Sequence, residues 1–280
     1  MIERIIDRRN RKTSQYMKCV IIVPTYNEVE NVVALCERVA QIVPDAHLLL
    51  MDDNSPDSTA DTAETLFADR PEYANYRVVR RTGARGLGRA YCDGFQRALR
   101  HGYDRIIQMD ADLSHDPKYL PALLEASHSA DLVIGSRYCM GGGVRCWAWY
   151  RVLLSRFANW YVHKMARIPV LDATAGFRCW TRQALEAIQI DTVSAEGYSF
   201  QVEMSHRAAQ SKLKIVEVPI VFTDRQFGQS KISRSVMIES FLTPIRLRNN
   251  PWNPVQAVVH SPIYSENENR VAAASLKEQG

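Results

Sequence analysis

Short apolar runs rich in β-branched residues alternate with longer segments of helical spacing through the first half of the chain. Cys19–Val23 is such a run, of the kind buried on both faces of a sheet. Over 28–42 the apolar residues Val32, Val33, Leu35, Cys36, Val39 and Ile42 recur at helical spacing. His47–Met51 reads as a second strand, followed by a polar turn over Asp52–Ser58 and a helix ending near Ala68. Tyr76–Arg80 is a third strand, Leu87–Arg100 a helix, Arg105–Met109 a fourth strand and Leu132–Gly135 a fifth. Pro117 suits the first residue of the helix after the fourth strand. Strands alternating with helices predict an α/β fold whose mostly parallel sheet is covered on both sides. Residues 1–16 read as a polar extension and the polar end of the chain as a loose tail.

Composition narrows the class. Of 280 residues, 46% are hydrophobic and 24% charged, which excludes a disordered scaffold, and a net charge of +4 by itself argues for no partner. The six cysteines (Cys19, Cys36, Cys92, Cys139, Cys146 and Cys179) form no CxxC pair, so reduced packing thiols in a cytosolic protein are expected. The charged start has no apolar core of a secretory signal, and no run of about 18 apolar residues is long enough to span a bilayer.

In an open parallel sheet, ligands sit beyond the carboxyl ends of the strands. That rule selects Pro24–Glu28, Asp52–Asp57 and Asp110–Pro117, three polar clusters converging on one rim. Carboxylates so concentrated repel one another unless a cation lies among them. Asp110 and Asp112, two apart beyond a strand end, can turn toward one point, and hard oxygen ligands with open positions suit Mg²⁺ or Mn²⁺ bridging a diphosphate. Turn chemistry is the plainer explanation of a lone Asp-x-Asp; the matching clusters at sister strand ends argue against it. The glycines Gly83, Gly86 and Gly88 run GxxGxG after the third strand, not GxGxxG after the first, and no Walker sequence occurs. They form either a tight turn into a helix or a loop lining a donor pocket.

Taken in order, Val20–Glu28, Asp52–Asp57, Gly86–Gly88 with Tyr91 and Gly94, Asp110–His115 and Gly135–Tyr138 resemble the family 2 GT-A glycosyltransferases. Gly141–Gly143, Trp147, Arg151, Ser155, Asn159, Asp172–Arg178, Glu196–Glu203, Glu217–Ile220, Asp224-Arg225 and Gly228–Lys231 narrow the resemblance to the polyprenol-phosphate (dolichol-phosphate) mannosyltransferases, over roughly residues 17–235. The resemblance implies a GT-A (Rossmann-like) domain that transfers mannose from GDP-mannose to a polyprenyl monophosphate with inversion. It places Pro24, Tyr26, Glu28, Met51 and Asp53 around the guanosine, and Asp110, Ala111 and Asp112 at the diphosphate and metal, with Ser114 as a third, short ligand. Arg137 lies near the nucleotide, and Arg225 and Lys231 add positive charge once the donor binds. Three rivals remain: glucose transfer from UDP-glucose, or another glycosyl transfer, to a lipid phosphate; nucleotidyl transfer; and a catalytically idle membrane-binding module.

A lipid monophosphate has a second pKa of about 6, so near neutrality it is already a nucleophile, and its site needs cations more than a base. Arg151 and Ser155, four apart on one helical face, make a clamp of the right type. Asp172 and Glu196 stay open as alternative bases, and His115 and His163 read as packing or surface residues. Over 132–171, Arg and Lys are interleaved with Trp and Tyr and no acidic residue intervenes. That is the composition of a helix lying in the membrane interface, or else of a core helix with a basic outer face. A second amphipathic segment covers 231–247 and runs into a C-terminal region (236–280) of helix and tail. The expected location is therefore cytoplasmic and peripheral on the cytosolic membrane face, directly or through a membrane-anchored subunit. The acidic rim argues against nucleic acid.

Overall fold

The computed structural model describes residues 17–193, 197–224 and 234–253, without side chains at 198, 234–238 and 240. The sequence expectations for residues 1–16, Glu196, Arg225, Lys231, Ile232 and residues from 254 onward lie outside the described residues.

The strands are β1 (Cys19–Thr25), β2 (His47–Asp52), β3 (Tyr76–Arg80), β4 (Arg105–Gln108), β5 (Leu132–Ser136), β6 (Gly143–Arg145), β7 (Arg178–Thr181), β8 (Ile215–Pro219) and β9 (Val221–Thr223). The helices are α1 (Val29–Ile42), α2 (Thr59–Asp69), α3 (Leu87–Arg100), α4 (Leu120–Ala126), α5 (Trp149–Ala166), α6 (Arg182–Ala187), α7 (Gly197–Gln210) and α8 (Arg234–Asn249). Seven strands form one sheet in the order β3-β2-β1-β4-β7-β5-β8, and β6 pairs with β9 in a separate ribbon.

β1 shows why the sheet is buried on both sides. Val20 and Ile22 enter one apolar cluster with Phe95 of α3, while Ile21 and Val23 enter another with Leu35 and Val39 of α1. This is the period-two alternation of a strand covered by helices on both faces. β1 pairs in parallel with β2 on one side and β4 on the other. The chain thus runs outward through β2 and β3, then returns to add β4 at the opposite edge of β1. A crevice opens at such a switch point, beyond the carboxyl ends of β1 and β4.

β7 is one of the elements that hydrophobic periodicity did not announce. It runs antiparallel to both neighbours, with Ile107 opposite Cys179 on β4 and Val133 opposite Cys179 on β5. Its first residue is Arg178, a fully buried guanidinium that donates to the carbonyls of Ala175 (2.7 Å), Ala173 (2.8 Å) and Gln201 (3.1 Å). Burial lowers its pKa to about 9, and these carbonyls take up its hydrogen-bonding demand. The other sheet pairs, β2 with β3 and β5 with β8, are parallel, so the sheet is mostly parallel as its alternation predicts.

α5 turns its apolar side outward. Asn159, Val162 and Ala166 are its buried residues, whereas Trp149, Tyr150, Leu153, Leu154, Phe157 and Trp160 are exposed. α8 lies beside it, with Tyr161 stacked on Phe241 at 4.9 Å and donating to the Phe241 carbonyl at 2.9 Å. Phe241 and Leu242 are exposed while Leu247 joins the core. Among the described residues no helix is long and apolar enough to cross a membrane.

Candidate active site

The loop leaving β4 is folded around its own carboxylates. Asp112 Oδ1 accepts from the backbone N–H of Ser114 (3.1 Å) and from its hydroxyl (2.6 Å). Leu113, between them, has a left-handed φ of 60°, uncommon for a non-glycine residue and a mark of a turn held by its surroundings. Asp110 Oδ1 accepts from the Tyr91 hydroxyl at 3.1 Å. Burial first, and the Asp110 charge next, push the Tyr91 pKa well up, so that it remains a neutral donor. The Asp110 N–H donates to His115 Nδ1 at 3.0 Å. His115 is buried, stacked on Phe177 at 5.0 Å, and lines the same cavity as Asp110. His115 is thus a packing residue, one of the two readings expected of it, and it also braces the acidic loop.

That cavity is also lined by Arg137 just after β5, Trp147 just before α5, Arg151 in the first turn of α5, and Asp224 after β9. Arg137 is buried and doubly bonded to Asp172, through Nε (2.7 Å) and Nη2 (2.6 Å), and its Nη2 also reaches Thr174 Oγ1 (2.8 Å). Asp172 is fully buried and also accepts the Arg137 backbone N–H at 3.0 Å. Its lone pairs are committed to that arginine, so as an alternative base it is set aside. Arg151 Nη1 donates to Asp224 Oδ2 at 2.7 Å, and its guanidinium lies 4.2 Å from the Trp147 ring. Ser155 does not line the cavity with Arg151; its Oγ accepts from the Tyr138 hydroxyl at 2.6 Å.

The other predicted residues spread along the rim on the β1–β2–β3 side. Pro24 and Glu28 are half-buried, and Glu28 accepts from Asn31 Nδ2 at 2.8 Å. The Tyr26 hydroxyl accepts from Arg85 Nη1 at 2.6 Å, beneath that guanidinium. Asp53 is nearly buried, ion-paired with Arg81, and accepts the Gly86 N–H at 3.0 Å, which ties the glycine segment to the end of β2. Ala111 is buried between the two aspartates. Met51 does not face the rim: it is fully buried under α3, where a Cβ at Gly94 would stand 3.4 Å from its Cγ. On an alternating strand it points into the core while Asp52 takes the other face.

Asp110 and Asp112 are the oxygen donors available to a cation, and among the described residues no group of three or more His, Cys, Asp or Glu surrounds one point. Two carboxylates on a cavity wall fit an ion that completes its shell with water and a diphosphate, the usual arrangement for Mg²⁺. Trp147, Asp224 and Tyr91 complete a site that pattern reading had left without roles for them, because they reach it from three separate elements.

The chain matches the family described as Glycosyl transferase family 2 over residues 20–188. It is 43% identical over 224 residues to a polyprenol monophosphomannose synthase of Mycolicibacterium smegmatis, covering 80% of this chain and 84% of that one. It is 42% identical over 230 residues to an undecaprenyl-phosphate mannosyltransferase of Micrococcus luteus, covering 82% and 93%. Among solved structures, glucosyl-3-phosphoglycerate synthase of Mycobacterium tuberculosis, in complex with Mn²⁺, uridine-diphosphate and glucosyl-3-phosphoglycerate, shares the fold. That likeness has a TM-score of 0.61 at 17% identity, over 83% of this chain and 81% of that one. A carboxylate pair at the switch point of a GT-A sheet and a family match over most of that sheet agree: the chain belongs to glycosyl transferase family 2 and is a glycosyltransferase.

Proposed function

We propose that this enzyme transfers mannose from GDP-mannose to the phosphate of a polyprenyl monophosphate, with inversion at the anomeric carbon, on the cytosolic face of a membrane. The observation that carries the reading is a single cavity lined both by the carboxylates of the loop after β4 and by Arg151 at the foot of a helix whose apolar side is turned outward. The names of two relatives above 40% identity, one a polyprenol and one an undecaprenyl-phosphate mannosyl enzyme, support both the sugar and the acceptor class.

In this reading Pro24, Tyr26, Glu28, Asp53, Ala111 and Arg137 hold the nucleotide. Asp110 and Asp112, with Ser114 orienting Asp112, hold Mg²⁺ or Mn²⁺, which shields the charge that develops on the departing diphosphate. Arg225 and Lys231, outside the described residues, add positive charge there. Arg151 receives the acceptor phosphate; Ser155 stands one turn behind it and acts through Tyr138. No general base is assigned, because the acceptor arrives ionised. The outward faces of α5 and α8 lie in the membrane interface, where Trp and Tyr favour the headgroup level.

The test incubates purified protein with labelled GDP-mannose, divalent metal and a short polyprenyl phosphate. Polyprenyl phosphate mannose and GDP are the expected products. Preference for UDP-glucose in a parallel arm would replace the donor, and pyrophosphate release would replace the reaction class.

A further inference from the structure

Arg137 and Arg151 both line the cavity, and the ion pairs they make are built differently. Arg137 and Asp172 are joined by two short bonds out of reach of solvent, with side chains only 8% and 0% exposed. Arg151 and Asp224 meet through one bond of 2.7 Å, with side chains 40% and 29% exposed. A solvated single-point pair of that kind changes an equilibrium constant by only about two- to fivefold. The first pair is a fixture; the second exchanges partners readily.

Trp147 adds an independent sign. Its ring covers one face of the Arg151 guanidinium at 4.2 Å and packs edge-on against Phe222 at 5.5 Å. Its Nε1 is buried with no hydrogen-bond partner among the described residues. A buried donor left unmatched costs free energy and marks a place where an oxygen ligand is missing. Donor and guanidinium belong to one stacked pair lining one cavity, so an oxyanion that displaces Asp224 from Arg151 and shifts the indole edge open meets both.

We propose that Asp224 is a positioning residue that occupies Arg151 until a phosphate replaces it: the incoming phosphate takes the Asp224 carboxylate's place on Arg151 and accepts the Trp147 indole N–H. This rests on the reading of Arg151 as the acceptor's phosphate ligand. Asp224 then acts as a built-in competitor that weakens binding of every phosphate by a similar factor and leaves the chemical step untouched.

The experiment uses the full chain and inorganic phosphate as probe, measured by inhibition against short polyprenyl phosphate and by protection against thermal unfolding. Asp224→Asn is expected to bind phosphate about two- to fivefold more tightly and to lower the acceptor KM by a like factor, with the donor KM unchanged. Asp224→Glu should restore the wild-type value. Trp147→Phe keeps the ring over Arg151 but removes the N–H, and should weaken phosphate binding about threefold or more. Equal or weaker binding by a folded Asp224→Asn overturns the exchange, as does undiminished binding by Trp147→Phe, which also decides the matter if Asp224→Asn does not fold. Arg151→Ala addresses the underlying reading: phosphate binding as in the wild type would show the acceptor clamp to lie elsewhere. Loss of binding in Arg151→Ala beside a wild-type-like Asp224→Asn would sink only the exchange.

Discussion

Asp112, which lines the cavity, and Asp172, buried behind it on Arg137, show how surroundings assign chemistry to identical side chains. Asp112 sits on an open wall with one oxygen steadied by Ser114, whereas Asp172 is sealed against Arg137. Asp112→Asn removes half of the anionic donor set and is expected to lower kcat by about 10³-fold, since metal shielding of a leaving diphosphate is worth several kcal/mol. Its thermal unfolding should stay near that of the wild type, because the carboxylate is not part of the core. Asp172→Asn should do the opposite. It leaves a buried guanidinium without its counter-charge, a change that costs about 3–5 kcal/mol in such settings, and urea unfolding would read it directly. If Asp172→Asn kept full stability while losing turnover, its exclusion as a base would be wrong. Asp110 and Asp112 were legible as site residues because strand ends can be read from pattern. The commitment of Asp172 was not, because its partner lies 35 positions away in sequence.

At the scale of elements, close approach between α3 and the sheet carries the crevice. A Cβ at Gly94 would stand 2.5 Å from Ile22 Cγ2, a branched group in the packed core. Gly94→Ala gains helix propensity, yet overpacking of this kind costs about 1–3 kcal/mol; a lowered melting temperature with a weakened donor site is expected. α7 and α5 are tied through His206, whose Nδ1 meets the Ala166 carbonyl at 3.2 Å. Burial holds the His206 pKa below its ordinary 6.5. The unfolded chain therefore takes up a proton that the native state refuses. This contribution is fully present above pH 6.5 and is lost as pH falls toward the lower native value, by at most about 1.4 kcal/mol per pH unit. His206→Gln should flatten that part of the dependence in denaturant titrations between pH 7.5 and 5.5, chosen as roughly one unit either side of an unperturbed histidine. Helix and strand positions in the first half followed from periodicity. β7 did not, because a short strand that is buried throughout and begins with an arginine carries neither the alternation nor the apolar run that marks a strand.

For the molecule as a whole, the outward apolar faces of α5 and α8 make the strongest demand on the surroundings. Trp149 is 78% exposed and Trp160 57% exposed, in a stretch that holds cations and no acidic residue between 132 and 171. Grouped apolar exposure of this kind marks an interaction surface. On the proposed attachment, Trp149→Ser with Trp160→Ser should lower sedimentation with anionic vesicles by about tenfold or more, because each large side chain contributes about 1.5–3 kcal/mol on burial. The fold should be unaffected, since neither ring enters the core. Vesicle binding equal to the wild type would place attachment elsewhere, in a partner subunit for example.

By itself the sequence determined the alternating α/β order, the carboxylate pair at the end of β4, the basic aromatic helix and the family. Each of these is written locally, as a period, a spacing or an ordered set of motifs. Only the tertiary structure decided that Met51 belongs to the core, that an antiparallel strand divides β4 from β5, that Ser155 turns onto Tyr138, and that Arg137 and Arg151 are held by carboxylates of unlike permanence. These depend on which groups distant in the chain come to share a dry or a wet surface, and burial, unlike periodicity, is a property of the packed whole.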